Sequence, residues 1–242
     1  MNFNLKGKNV LITGATRGIG YSIASSFVNE GANITITGRK SFTNYKLNLK
    51  LKDFIQLDTE NKKTISSFFT TVQKKNSFDI LINNLGINRI NFFSDIKKET
   101  FKDILFTNLE IPFELSQIVA KKMITRKKGK ILNISSIWSV VTKEHRASYT
   151  ISKSALNGLT RSLSIDLAKY NILVNSLSPG IVNTDLTKKI LGNKLHKIKS
   201  QIPLGRLAEP NDISALALFL TSDLNSYITG QNIVIDGGYT IL

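Results

Sequence analysis

The sequence contains no cysteine and only two histidines, His145 and His196. The absence of cysteine excludes disulfides, thiolate metal sites and cysteine nucleophiles. Two distant histidines do not suggest a zinc site, so we expect no metal. No apolar run approaches the roughly 20 residues of a membrane-spanning helix. Segment 1–8 alternates polar and apolar residues, unlike a signal peptide, so we expect a cytoplasmic protein.

Acidic residues are scarce: 17 stand against 33 lysines and arginines, giving a net charge of +16. Such an excess is compatible with a nucleic acid, an acidic membrane surface or an acidic protein partner. The lysines are spread over most predicted helix surfaces, and no aromatic–basic interleaving typical of single-strand binding stands out. This distribution favours a compositional bias, with no nucleic-acid or membrane partner, and leaves open whether the charge has a function.

Short apolar runs alternate with longer amphipathic segments along the 242 residues. The runs are 9–13, 33–37, 54–57, 79–83, 130–134, 173–177 and 232–235. Near-continuous apolar strands separated by helices indicate an α/β fold with a parallel sheet covered on both faces. We therefore predict a single-domain, Rossmann-type doubly wound sheet of about seven strands, with ligands at the strands' carboxyl ends. The connection 38–52 is short and polar, so the helix expected there is stunted or missing.

A glycine-rich turn follows the first predicted strand and leads into a helical pattern over 21–30. Its residues are Thr13, Gly14, Ala15, Thr16, Arg17, Gly18, Ile19 and Gly20. Glycine suits a tight turn, a close approach of the backbone to a pyrophosphate, and close packing of helix on strand. The free N–H groups at the helix N-terminus then attract the anion. The alternative is an ordinary tight turn, but the position directly after the first strand favours a dinucleotide site.

The end of the second predicted strand bears on which dinucleotide binds. An acidic residue there would select NAD, whereas an arginine nearby favours the 2′-phosphate of NADP. The strand ends Thr37, Gly38, Arg39, Lys40, with no carboxylate. Arg39 can pair with a phosphate in a bidentate manner. We therefore favour NADP(H) over NAD(H), the alternative being that these bases are solvated loop charges.

Tyr149 and Lys153 stand four residues apart at the start of a helical pattern that runs to about residue 168. Residues at that spacing share one helix face, so both side chains can reach one pocket. A lysine ammonium beside a tyrosine favours the phenolate and lowers the tyrosine pKa towards neutrality. Ser136 follows a predicted strand, where its hydroxyl is able to bind a carbonyl oxygen. By itself this spacing is common, and the alternative is two surface residues on a helix.

Taken together, these motifs make the sequence resemble the classical short-chain dehydrogenase/reductases over essentially its whole length. In order along the chain, the matching positions are Gly14, Gly18 and Gly20, Asp58, Asn83, Asn84 and Gly86, Asn108, Ser136, Tyr149 and Lys153, Pro179, Gly180 and Thr184, the stretch 228–230, and Asp236, Gly237 and Gly238. The resemblance implies a cofactor half of about 1–110 and a catalytic and substrate half of about 111–242, in an enzyme that is a homo-oligomer, usually a tetramer.

The resemblance also implies roles for individual residues. Asp58 contacts the adenine, Asn84 lines the cofactor groove, and Val182 and Thr184 hold the nicotinamide carboxamide. Asn108 completes a catalytic tetrad and supports a water-linked proton relay to Lys153. Ser136 and Tyr149 hold the carbonyl oxygen, Tyr149 transfers the proton, and Lys153 hydrogen-bonds the nicotinamide ribose.

Two substrate classes stay open. Within the family, the sequence resembles the 3-oxoacyl-[acyl-carrier-protein] reductases most. An acidic carrier protein would suit a basic rim around the active site. The stretch 137–148, however, lacks the glycines usual in those reductases and carries Trp138 and Arg146, which would suit a sugar or polyol. For Trp138 the alternative is packing, and for Arg146 a position on the loop surface. More remote alternatives are a non-catalytic NADP-binding protein and a nucleic-acid-binding protein on this fold.

Overall fold

The computed structural model describes residues 3–75, 77–192 and 195–241. Its strands are β1 (Asn9–Ile12), β2 (Asn33–Gly38), β3 (Asp53–Gln56), β4 (Ile80–Asn83), β5 (Gly129–Ile134), β6 (Ile172–Pro179) and β7 (Asn232–Ile235). They form one parallel sheet of seven strands in the order β3-β2-β1-β4-β5-β6-β7. The order reverses between β1 and β4, the position where doubly wound sheets bind ligands. The predicted fold is confirmed.

Helices cover both faces of this sheet. They are α1 (Gly18–Asn29), α2 (Lys62–Lys74), α3 (Lys98–Leu105), α4 (Ile111–Arg126), α5 (Ala147–Ala168), α6 (Asp185–Leu191), α7 (Leu195–Lys199) and α8 (Pro210–Thr221). The connection from β2 to β3 contains a single 3₁₀ turn, Phe42–Asn44, as its short polar sequence predicts. Among the described residues, no helix is both long and apolar enough to span a bilayer.

Alternation along β1 explains why the core has two halves. Successive side chains of a strand point to opposite faces. Val10 and Ile12 pack with α1 and α8 residues on one face, whereas Leu11 packs with α2 and α4 residues on the other. All three are fully buried. A sheet buried on both faces exposes its polar groups mainly at strand ends, which places the candidate site there.

A π-helical turn, Phe106–Glu110, separates α3 from α4. Such turns are rare and often occur at functional sites, because the wider turn redirects one side chain. Here the turn carries Asn108, whose side chain is fully buried and lies against Ile87 in the segment that follows β4. The helix is therefore interrupted at the residue that the sequence singles out.

Candidate active site

The glycine-rich turn lies between β1 and α1 and is held by its neighbours on both sides. Gly14 has a φ of +64°, and its N–H donates to Thr37 Oγ1 at 2.9 Å. On the other side, Asn84 Nδ2 donates to the carbonyls of Thr13 (2.9 Å) and Gly14 (3.0 Å). The side-chain amide of Asn84 therefore stabilises the conformation of the turn.

The N-terminus of α1 has the features of an anion site. Arg17 occupies the N-cap in an extended conformation, its side chain makes no cap hydrogen bond, and no acidic residue stands in the first turn. By contrast, Asn61 caps α2 and Thr184 caps α6. The first N–H groups of a helix have no partner within the helix and attract anions. The turn therefore fits a dinucleotide pyrophosphate, with Thr16, Gly18 and Ile19 beside Arg17.

Gly20 has no room for a side chain. A Cβ there would lie 2.5 Å from Asn84 Nδ2 and 2.6 Å from the Gly14 carbonyl oxygen. We expect Gly20→Ala to displace Asn84, to lower stability by about 1–3 kcal/mol and to weaken dinucleotide binding at least about tenfold. Thermal unfolding and calorimetric titration with NADPH measure the two effects.

Gly158 provides the matched control. It lies inside α5, and the nearest atom to an added Cβ is Arg161 Nη2 at 4.0 Å. Gly158→Ala should stabilise the protein by about 0.5–1 kcal/mol through helix propensity and leave dinucleotide binding unchanged. Equal dinucleotide affinity in the Gly20 variant and the wild type would contradict the assignment of this turn.

At the adenosine end of the site, Arg39 is engaged by two acids. Its Nε lies 3.3 Å from Asp58 Oδ1, and its Nη2 lies 2.5 Å from Glu60 Oε2. The two acids raise the pKa of Arg39, mainly through the charge of Asp58. Glu60 also lies 3.8 Å from Arg89, which in turn lies 3.3 Å from Asp103.

Glu60 is not predicted from the sequence, because the carboxylate that selects NAD is expected at the end of β2 and Glu60 follows β3. The available signal was the pairing of β2 with β3: Gly38 lies opposite Gln56, so residues shortly after each strand end meet.

Asn108 organises the turn after β4. Its Oδ1 accepts from the Ile87 N–H at 2.8 Å, and its Nδ2 donates to the Ile87 carbonyl (2.9 Å) and to Ser152 Oγ (3.0 Å). Ser152 Oγ donates to the Tyr149 carbonyl at 2.8 Å. Ser152 is a second residue that sequence reasoning missed. Its place three positions after Tyr149 was the available signal, since that spacing keeps both on one helix face.

Lys153 is buried at the centre of the site, with 3% of its surface exposed. Its Nζ donates to the Ile134 carbonyl at the end of β5 at 2.7 Å. A Cβ on Gly86 would lie 3.4 Å from this Nζ and 3.3 Å from Asn108 Oδ1. A side chain at position 86 would therefore fill the space between the two.

Tyr149 and Ser136 face each other across the site. The pKa of Tyr149 is raised above its usual value by burial, while a hydrogen bond with the Ser136 side chain and the charge of Arg146 act to lower it. The Lys153 ammonium lies 5.8 Å from the Tyr149 ring centroid. Arg146 thus adds a charge acting on this hydroxyl that the sequence did not predict, while the lowering of this pKa by Lys153 stays a prediction.

Burial lowers the pKa of Lys153 to about 8. A buried ammonium next to a tyrosine is costly to maintain, and perturbed groups of this kind cluster at functional sites.

The remaining predicted residues are those of the segment after β6, expected to bind the cofactor, and Trp138, expected near the substrate. Pro179 ends β6, the Gly180 N–H donates to the Ile235 carbonyl at 2.9 Å, and buried Val182 forms a bridge with Ala208. Thr184 is brought to the glycine turn: a Cβ on Gly18 would lie 3.4 Å from Thr184 Cγ2. Trp138 packs edge-on against Tyr239, with ring centroids 6.1 Å apart. This contact is a packing contact, and a further contact of Trp138 with the substrate stays a prediction.

The arrangement combines a dinucleotide cradle with a hydroxyl pair and a buried ammonium. The cradle follows β1 and β4, while Ser136 follows β5 and α5 carries Tyr149 and Lys153. These strands are neighbours in the sheet, so their carboxyl ends converge. Such a site is able to hold a carbonyl oxygen and transfer a proton to it.

Comparisons with known proteins agree with this geometry. Residues 14–240 match the family model described as enoyl-(acyl carrier protein) reductase. The chain is 35% identical to a 3-oxoacyl-[acyl-carrier-protein] reductase of Aquifex aeolicus, covering 98% of this chain and 99% of that protein. It is 37% identical to an L-rhamnose 1-dehydrogenase (NADP(+)) of Thermoplasma acidophilum, covering 98% of both.

Among solved structures, the fold resembles a gluconate 5-dehydrogenase of Burkholderia cenocepacia in complex with NADP and tartrate. The TM-score is 0.89 at 29% identity, covering 100% of this chain and 98% of that one.

Proposed function

The chain belongs to the short-chain dehydrogenase/reductase family of NAD(P)-dependent oxidoreductases acting on CH–OH or C=O groups, and from that premise we propose that it reduces a carbonyl substrate with NADPH. The observation that carries the proposal is the buried Lys153 ammonium, held by Ile134 one helical turn from Tyr149. Burying a charge costs free energy. In the proposed reaction the buried Lys153 charge has a function, which explains why the fold retains it.

The dinucleotide would be held by the glycine turn, by Asn84 and Gly86, and by the segment from Pro179 to Thr184. When bound, the reduced nicotinamide supplies a hydride to the carbonyl carbon. Ser136 and Tyr149 hold the carbonyl oxygen, and Tyr149 donates its phenolic proton to that oxygen as the alcohol forms. Lys153 orients the nicotinamide ribose and stabilises the phenolate that is left, while Asn108 keeps the turn at Ile87 in place.

A preference for NADPH over NADH is part of the proposal and is supported by Arg39, which directly follows the end of β2. We expect Arg39→Ala to raise the Kd for NADPH about tenfold, since one charge-assisted contact is lost. The Kd for NADH should stay within about twofold, because NADH has no 2′-phosphate. Fluorescence titration with both dinucleotides measures the change.

Glu60→Gln is expected to lower the Kd for NADPH, whereas Arg39→Ala raises it. Removing this charge frees Arg39 from its shorter ion pair, so NADPH should bind up to about fivefold more tightly, the range of an exposed ion pair. If Arg39→Ala weakened NADH and NADPH alike, Arg39 would not be the residue that reads the 2′-phosphate.

For the substrate we propose a 3-oxoacyl thioester first, on the likeness to the Aquifex enzyme. An acidic carrier protein and a tetrameric assembly in the cytoplasm belong to the same proposal. The second candidate is a sugar or polyol, favoured by the likeness to the rhamnose and gluconate dehydrogenases and by the charged stretch before Tyr149.

The test is a panel of acetoacetyl thioester, keto-sugars and small ketones, with NADPH or NADH consumption followed by absorbance. Thioester reduction supports the first candidate. Turnover of keto-sugars without thioester reduction would replace it with the second, and no turnover of any carbonyl would overturn the proposed reaction.

A further inference from the structure

Arg146 lies on the same helix face as the two proposed catalytic side chains. It is the N-cap of α5, three residues before Tyr149 and seven before Lys153. Residues at these spacings stand one above the other on a helix, with Cβ atoms of the first pair roughly 5–6 Å apart. The positive charge of Arg146 acts on the hydroxyl of Tyr149 and lowers its pKa.

This guanidinium is half-buried without an acidic partner. Within the residues described, Arg39, Arg89, Arg126 and Arg206 each pair with a carboxylate, and no such pair involves Arg146. Burial lowers the pKa of Arg146, and no carboxylate opposes that shift. Arg17 and Arg161 are also without an ion pair in this part of the chain, but both are exposed to water. A partly buried arginine without a counter-ion pays the cost of burying its charge, and an anion that binds beside it would offset that cost.

The loop before Arg146 is held in a single geometry. His145 adopts a left-handed φ of 63°, its carbonyl accepts from the Asn91 N–H at 3.4 Å, and its ring lies 5.7 Å from that of Phe92. On the other side, the Thr150 N–H donates to the Arg146 carbonyl at 2.8 Å. These contacts fix the backbone at His145 and Arg146, from which the guanidinium extends.

We propose that Arg146 binds a carboxylate on the substrate, a few bonds from the carbonyl whose oxygen Tyr149 protonates. The guanidinium fork matches a carboxylate in two parallel hydrogen bonds, which suits an oxo acid better than a neutral ketone. This inference rests on the proposed function and favours its second substrate candidate, in the form of a keto-sugar acid, over the first, because a 3-oxoacyl thioester carries no charge close to its ketone.

A matched pair of substrates tests the inference: an oxo acid and its primary amide, each with NADPH. We expect Arg146→Gln to raise KM for the acid about 10- to 100-fold, the worth of a charge-assisted hydrogen bond, and KM for the amide by less than about threefold. Arg146→Lys keeps the charge and should recover part of the loss. Arg161→Gln removes an exposed arginine of the same helix and should change neither KM.

A second readout separates this role from a structural one. Because Arg146 lowers the pKa of Tyr149, the Arg146→Gln profile of kcat against pH should move to higher pH by a similar amount for acid and amide, while KM changes for the acid alone.

Equal KM changes for acid and amide would overturn the inference while leaving the proposed reaction intact. So would a wild-type enzyme that reduces neutral ketones and no oxo acid. A sugar phosphate serves as a further arm: if Arg146→Gln affected it and not the acid, the anion would be a phosphate and the carboxylate assignment would be wrong. No turnover of any carbonyl would instead mark a failure of the proposed function.

Discussion

Tyr149→Phe is expected to lower kcat about 100- to 10,000-fold, the usual contribution of a positioned acid. The phenolic hydroxyl is the proton donor in the proposed reaction, and phenylalanine keeps the ring while removing that proton. The Kd for NADPH should change by less than about threefold, because the cradle after β1 lies on other elements. Steady-state rates of NADPH consumption and fluorescence titration measure the two quantities separately.

Tyr227→Phe is the control for this substitution, since Tyr227 is 96% exposed and lies far along the chain from the site. It should have wild-type kcat. A Tyr149→Phe enzyme with activity near that of the wild type would remove Tyr149 from the mechanism, and a loss of NADPH binding together with kcat would mean that the variant is damaged more widely.

Lys153→Met is expected to abolish most of the activity and, at the same time, to stabilise the fold at pH 7. The pKa of Lys153 falls from 10.5 to about 8 on burial. At about 1.36 kcal/mol per pKa unit, the buried ammonium costs about 3 kcal/mol below pH 8. The lost hydrogen bond to Ile134 offsets about 1 kcal/mol of this. We therefore expect a gain of about 2 kcal/mol in the free energy of unfolding.

The stability gain expected for Lys153→Met should depend on pH, and the titration of Lys153 fixes the direction of that dependence. Between pH 8 and 10.5 the unfolded chain carries a proton on Lys153 that the folded protein has lost, so wild-type stability from this group rises with pH. Methionine has no such titration. The stability difference between variant and wild type should therefore narrow across that window, while the other lysines titrate in both proteins and cancel.

Denaturant unfolding at fixed protein concentration, at pH 7 and pH 10, measures this difference. A variant less stable than the wild type at both values would mean that Lys153 is a favourable structural contact. In that case the functional explanation for its burial would fail.

The fold could be predicted from the sequence almost completely, because its evidence is local and periodic. Each apolar run became a strand of the sheet, and the short polar connection 38–52 formed no α-helix. Boundaries moved where the local signal was ambiguous: α1 begins at Gly18 rather than at residue 21, since its glycines occupy the first turn.

Other features depend on contacts that sequence spacing does not contain. The π-helical turn at Asn108 contains neither glycine nor proline, and the missing N–H of Pro112 just after it predicts an irregular helix but not this geometry. The ion pairs of Arg39 with Asp58 and Glu60 arise from the meeting of two strand ends. The pKa of Tyr149 depends on how deeply the fold buries it, and four-residue spacing to Lys153 carries no information on burial.

The most direct test of the account follows the hydride itself. Wild-type enzyme is incubated with a carbonyl substrate and NADPH that carries deuterium at both positions of the reactive nicotinamide carbon, and the product alcohol is analysed by mass spectrometry. We expect one deuterium on the carbinol carbon for each NADPH consumed, and almost no product alcohol from the Tyr149→Phe enzyme in the same time. NADPH that binds but is never oxidised by any carbonyl of the panel, or product alcohol without deuterium, would contradict it.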